Sequence, residues 1–189
     1  MTEINGGVNF VFNIVDQACA DLAKLMNRPA MENELAKIEL VAISGQEANW
    51  SYRKQVKGPA RGLWQFELGS LEEGGGVCGV FRHPATRHFV QELCATCTVE
   101  HNPFAIHKAL MFDDLLAAYI ARLLLWTDLH PLPKNAEQGW ITYIANWRPG
   151  KPSKSKWAYN YKTAVDYSLK RSLIKSVQLV KAKEEITNA

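Results

Sequence analysis

The run 115–126, LLAAYIARLLLW, limits what this chain can fold into more than any other stretch. It is apolar on nearly every side, so as a helix it must be enclosed by other elements. It is too short to span a bilayer and carries Arg122, so the enclosure must be protein and not lipid. Asp113 and Asp114 before it suit the positive end of a helix, and His130-Pro131-Leu132-Pro133 stops it. The sequence therefore predicts a central core helix with other helices packed around it.

Candidates for those helices follow from periodicity. Val11, Ile14, Val15, Ala18, Leu22, Leu25 and Met26 recur at three- and four-residue spacing and predict an amphipathic helix over 11–26, ended by Asn27-Arg28-Pro29. A second helix is predicted from 31 or 32 to 49, with Leu35, Ile38, Ala42 and Gly45 inward and its last turns apolar almost all round. Shorter helices are predicted over 86–93 and over 136–147, the latter with Trp140, Ile141, Ile144 and Ala145 inward. The segment 157–186 reads as one or two helices with Tyr161, Val165, Leu169, Leu173 and Val177 on one face. Gly74-Gly75-Gly76 marks 69–79 as a loop, and Leu63, Trp64 and Phe66 form a short apolar patch that suits a strand or a helix start. Strands are otherwise scarce, so the fold class is mainly α. With 189 residues, 47% of them apolar, the chain can bury one sizeable core. We divide it into a domain over 1–167 and a basic helical C-terminal extension over 168–189.

The net charge of +3 does not imply a nucleic-acid partner. The charge is uneven, however: between 151 and 183 there are nine Lys or Arg residues and one acid, Asp166. Such a block is either attracted to a polyanion or is simply a solvated helix face. The start, MTEINGG, lacks the basic n-region of a signal peptide, so synthesis in the cytoplasm is expected, with some other route to any external substrate. Cys94-Ala-Thr-Cys97, with Cys78, His83, His88 and His101 nearby, has the spacing of a metal or redox pair. The second pair of a tetrahedral site is missing, which leaves buried free thiols as the other reading, and no metal or cofactor is assigned.

The functional signal lies in 43–67, ISGQEANWSYRKQVKGPARGLWQFE. Glu47 follows an apolar helical segment, where partial desolvation raises a carboxyl pKa and lets it keep a proton near neutral pH. The alternative is an ordinary exposed acid at a helix end. Asn49, Trp50 and Tyr52 follow, then a basic loop to Arg61, then Gly62-Leu63-Trp64-Gln65. Two further segments, 140–150 and 157–167, also combine aromatic and polar residues. Sugar sites use flat aromatic faces against pyranose C–H bonds, amides and guanidinium groups on hydroxyls, and a general acid for the leaving oxygen. No second carboxylate lies between Glu47 and Gln65, and Glu67 is the nearest later one.

Glu47 followed by Gly62-Leu63-Trp64-Gln65 resembles the Glu … Gly-Leu-Met-Gln signature of lytic transglycosylases in the lysozyme superfamily, relatives of goose-type lysozymes. The segment 140–147, WITYIANW, falls where that family carries Ala-Tyr-Asn-Ala-Gly, and Tyr161 looks like its later tyrosine motif. The resemblance covers about 35–167. Departures are Ala48 where the family usually has Ser, Ile144 where it has Asn, and the loop 147–151. The resemblance implies a lysozyme-like fold of bacteriophage type, virion-borne or released at lysis. It implies one essential acid, Glu47, which protonates the glycosidic oxygen between N-acetylmuramic acid and N-acetylglucosamine and then acts as base while a 1,6-anhydro ring closes. Gln65 and Tyr143 would orient the sugar or the acid, Tyr161, Asn49 and Asn146 would line the site, and Arg61 would meet a substrate carboxylate. Trp50, Trp64 and Trp147 would stack on sugar or belong to the core. Expected partners are peptidoglycan strands and, through the basic C-terminal segment, other virion or tail proteins. The alternatives are a hydrolase using Glu67 or another acid, and a virion structural or wall-binding protein without catalysis.

Overall fold

The computed structural model describes residues 6–187. The polar start over 1–5 and the last two residues of the predicted extension, 188–189, lie outside the described residues. The described residues form α1 (Gly6–Leu25), a 3-10 turn (Pro29–Glu32), α2 (Glu34–Ala48), α3 (Gly76–Arg82), α4 (Arg87–Thr96), α5 (Pro103–Ala109), α6 (Asp114–Trp126), α7 (Ala136–Trp147) and α8 (Lys154–Thr187). Among them, β pairing is limited to isolated bridges in the loop after α2, such as Lys54 with Arg61 and Arg61 with Phe66. The fold is mainly α.

α6 is buried as its composition requires, from Leu116 through Leu123. Asp113 caps it by accepting from Leu116 N–H at 2.8 Å. Its buried Arg122 finds polar partners in the 3-10 turn: Nε donates to Met31 O at 3.2 Å and Nη2 to Ala30 O at 3.3 Å. The guanidinium thus anchors the turn over the core, which lets a charged residue sit in an apolar helix. α2 is enclosed as well, buried from Ala36 to Gln46 between α1, α6 and α8.

The structure corrects several expectations. α3 begins at Gly76, inside the predicted loop, and α5 was not anticipated. The patch around Leu63 and Trp64 is a series of turns, neither strand nor helix. In α7 the buried residues are Gly139, Thr142 and Tyr143; of the predicted inward set Trp140 and Ile144 pack half-buried against the core, while Ile141 is 63% exposed and Ala145 is exposed. Close approach sets this phase: a Cβ at Gly139 would lie within 3.0 Å of Glu39, Tyr161 and Trp157, so only glycine fits. α8 is one helix, and its buried line is Trp157, Asn160, Tyr161, Ala164 and Ser168. Leu169, Leu173 and Val177, predicted to continue the inner face, are exposed because the helix there presents only its Arg171 side to α1.

Candidate active site around Glu47

Glu47 stands in the last turn of α2, and the way that helix ends fixes its direction. Asn49 (φ 53°) and Trp50 (φ 55°) both adopt left-handed backbone and turn the chain sharply back. The Trp50 ring folds onto the helix, its indole N–H donating to Val41 O at 2.8 Å. A Cβ at Gly45 would come within 2.5 Å of that ring, so the glycine is what allows the fold-back.

Tyr143 of α7 reaches this helix end and donates its hydroxyl proton to Glu47 Oε1 at 2.6 Å. The phenol ring is buried and stacks on Trp157 of α8, with centroids 5.1 Å apart and planes 7° apart. Trp157 is itself fixed by donation to Ala136 O at 2.7 Å. Beside them Lys156 Nζ donates to the carbonyl of Gln46 at 2.7 Å. The Gln46 side chain donates to Ser153 O at 3.2 Å and accepts from Asn160 at 3.1 Å. Three helix segments therefore converge on one half-buried carboxyl.

The electrostatics are opposed. Burial raises the Glu47 pKa, while the Tyr143 hydrogen bond and the Lys156 charge lower it, and the net direction is upward. Burial pushes the Tyr143 phenol up, and the adjacent Glu47 carboxylate pushes it further, so it stays a hydrogen-bond donor. Burial lowers Lys156, and Glu47 partly restores it. The arrangement is a carboxyl that burial makes a better proton holder than an exposed Glu and that can still carry charge against a donor and a cation. That is what a group alternating between acid and base needs.

The other residues singled out in the sequence fall into distinct places. Trp64 is wholly buried with its indole donating to Leu40 O at 2.9 Å, and Trp50 is nearly so, which makes both core residues with no face to offer a ligand. Tyr161 is buried beside Trp157 and Glu39 and does not touch Glu47; burial and then the Glu39 charge push it up to about 12. Trp147 is half-buried, tilted against Phe66 at 6.0 Å, and donates to Trp64 O at 3.2 Å, tying α7 to the 62–65 turn. In that turn Gln65 (φ 47°) donates to Gly62 O at 2.7 Å and Tyr52 O at 3.3 Å, so its amide braces the loop. Arg61 donates to Gly58 O at 3.2 Å and Ala60 O at 3.1 Å within its own loop. Asn49 is exposed at the helix end, and Glu67 is exposed. Asn146 donates to Asp128 at 2.7 Å. Burial alone would raise Asp128, but donation from the His130 N–H, from Asn146 and from the His130 ring outweighs it, and the carboxyl sits below its usual value.

Sequence reasoning missed Lys156, Gln46 and Glu39. Gln46 adjoins Glu47, but nothing local shows that its side chain spans to α8. Glu39 is the least visible: it lies one helical turn before Ile43 on α2, is wholly buried, and both carboxyl oxygens lack a hydrogen-bond partner. The four cysteines are free, Cys19, Cys78 and Cys94 buried and Cys97 half-buried, and among the described residues no group of three or more His, Cys, Asp or Glu side chains is placed to hold a metal. No described helix is long and apolar enough to cross a membrane. Comparison with protein families, curated proteins and solved structures finds no match.

Proposed function

We propose that this chain is a peptidoglycan-cleaving enzyme of the lysozyme-like, bacteriophage type, acting as a lytic transglycosylase with Glu47 as its one catalytic acid. The observation that carries the reading is the 2.6 Å hydrogen bond from Tyr143 to a half-buried Glu47 whose pKa is raised. Protonated Glu47 gives its proton to the oxygen between N-acetylmuramic acid and N-acetylglucosamine as the C1–O bond breaks. The resulting carboxylate, supported by the Tyr143 hydroxyl and the Lys156 charge, then takes the proton from the muramoyl C6 hydroxyl as that oxygen bonds to C1. The 1,6-anhydro product forms and Glu47 regains its proton, so one group performs both transfers. Of the proposed stacking residues, Trp147 retains partial exposure, and the loop carrying Asn49, Gln65 and Arg61 borders the same helix end in sequence. A basic α8 extension mounted in a virion or released at lysis completes the proposal.

Digestion of purified peptidoglycan followed by mass spectrometry of the products tests it. The wild type should release anhydromuramoyl ends, and Glu47→Gln should lower release at least about a hundredfold, the usual scale for removing general acid catalysis. Reducing muramic ends would instead establish a hydrolase, and absence of any cleavage by the wild type would leave a non-catalytic wall-binding or virion protein.

A further inference from the structure

α8 carries a feature that catalysis at Glu47 does not use. Its buried line ends at Ser168 and continues through Arg171, which pairs with Asp16 and bonds Asn13 of α1 at 3.0 Å, its guanidinium 5.3 Å above the Phe12 ring. Lys175, one turn on, lines a polar groove with Asn13, Asp16 and Lys37. At about 100° per residue, Leu169, Leu173, Val177 and Val180 share an arc of about 80° whose centre is opposite that line. They are exposed by 65%, 66%, 48% and 55%, and Ile174 beside the arc by 47%. The apolar face thus points directly away from the protein.

From this arc we infer that the projecting half of α8 binds the surface of an anionic phospholipid bilayer, whatever Glu47 does. The charge is complementary: between 169 and 183 there are five bases and no acid. Lys170 borders the apolar arc, where a long stem can lie on apolar surface while its ammonium reaches a phosphate. Apart from Leu179, 64% exposed on the other side, the helix sets Arg171 and Lys175 opposite large aliphatic residues, the composition of a helix that lies in the interfacial plane. A hydrated polyanion such as a wall polymer would use the bases but leave the aliphatic arc unexplained. Pairing with a second α8 is disfavoured by register, because a heptad seam through Leu169, Leu173 and Val180 also takes in Ser176 and Lys183, and one through Leu173, Val177 and Val180 takes in Lys170 and Glu184. Asp166 before the arc and Glu184 after it bound the contact to 169–180, about 18 Å of helix.

Co-sedimentation of the full chain with vesicles tests this, using equal parts phosphatidylglycerol and phosphatidylcholine against phosphatidylcholine alone. Binding to the anionic vesicles is expected, weakened by raised salt. Leu173→Ser with Val177→Ser should lower that affinity about tenfold or more, and Lys170→Glu should lower the preference for anionic lipid. These positions lie off the core, so unchanged circular dichroism should accompany the loss. Absence of binding, equal binding to neutral vesicles, or indifference to both variants would overturn the inference. So would a concentration-dependent dimer in sedimentation velocity that the Leu173 and Val177 substitutions abolish, since the arc would then be a contact between copies.

Discussion

The hydroxyl of Tyr143 donates to Oε1 of Glu47 across 2.6 Å, joining the middle of α7 to the last turn of α2. The contact is local in effect and long in sequence, its ends 96 positions apart. It sets the carboxyl between opposing influences: burial drives the pKa up, and the phenol and the Lys156 ammonium restrain it.

Tyr143→Phe removes a donor that favours the charged carboxyl. The Glu47 pKa should therefore rise. For a general acid, kcat/KM falls as pH rises through its pKa in the free enzyme, so the falling limb should move to higher pH. Loss of a hydrogen bond to a charged group should also lower kcat about tenfold. Measuring muropeptide release against pH checks both, and a limb that moves to lower pH contradicts the assignment.

Glu39 should make the fold less stable as pH rises. Its burial pushes the carboxyl well above its ordinary value, and neither oxygen has a partner. In the unfolded chain the group ionises near its ordinary pKa, whereas in the folded protein it keeps its proton to well above that value. The native state then binds more protons, so stability is greatest below about pH 4.5 and declines as pH rises toward the folded value. Glu39→Met should flatten this decline and stabilise the protein by about 1–3 kcal/mol at neutral pH, the scale of an unsatisfied buried polar group. Urea unfolding of both proteins across pH decides it.

The helices were legible where their burial is one-sided or complete. The 136–147 helix has its predicted bounds, and α6 is buried as an apolar run with a single Arg must be. The phase of α7 was not legible, because Ile141 looks like a core residue and Gly139 does not. Only the close approach of Trp157 and Tyr161 reveals that the glycine edge faces inward. The same limit applies to the site. Glu47 stands out on chemical grounds and Tyr143 through the family resemblance, and they lie in contact, whereas Trp64, Gln65 and Arg61 bond to core or loop groups and Tyr161 packs on Trp157. Aromatic and polar residue types alone do not distinguish a ligand-facing group from one satisfied by a backbone carbonyl. Lys156 acts on a residue of another helix and Glu39 is enclosed by other helices, which no local pattern encodes.

Gly45→Ala should disturb the end of α2. The added methyl would sit 2.5 Å from the Trp50 ring, which its bond to Val41 O and its burial hold in place. Overpacking of this kind costs about 1–3 kcal/mol. Because displacing Trp50 moves the turn that follows Glu47, activity should fall as well. Gly45→Ala combined with Trp50→Phe, which has a smaller ring, should recover part of the thermal stability lost to the first change. A Tm unchanged by Gly45→Ala would show that the helix end is looser than this packing requires.

Lys156 offers a test that separates charge from hydrogen bonding at the site. Its ammonium donates to the Gln46 carbonyl at 2.7 Å and lowers the neighbouring Glu47 pKa by charge alone, with no direct bond to the carboxyl. Lys156→Met keeps much of the side-chain length and removes both effects. The Glu47 pKa should rise, moving the falling limb of kcat/KM to higher pH in the same direction as Tyr143→Phe. Lys156→Arg retains the charge and should leave the limb near its wild-type position, even if the altered hydrogen bond lowers kcat. The Lys156 shift should also shrink as salt is raised, because a charge acting through partly exposed surroundings is screened, whereas the Tyr143 shift should persist. A Lys156→Met limb that moves to lower pH, or one as insensitive to salt as that of Tyr143→Phe, would show that Lys156 acts on Glu47 by structure and not by field.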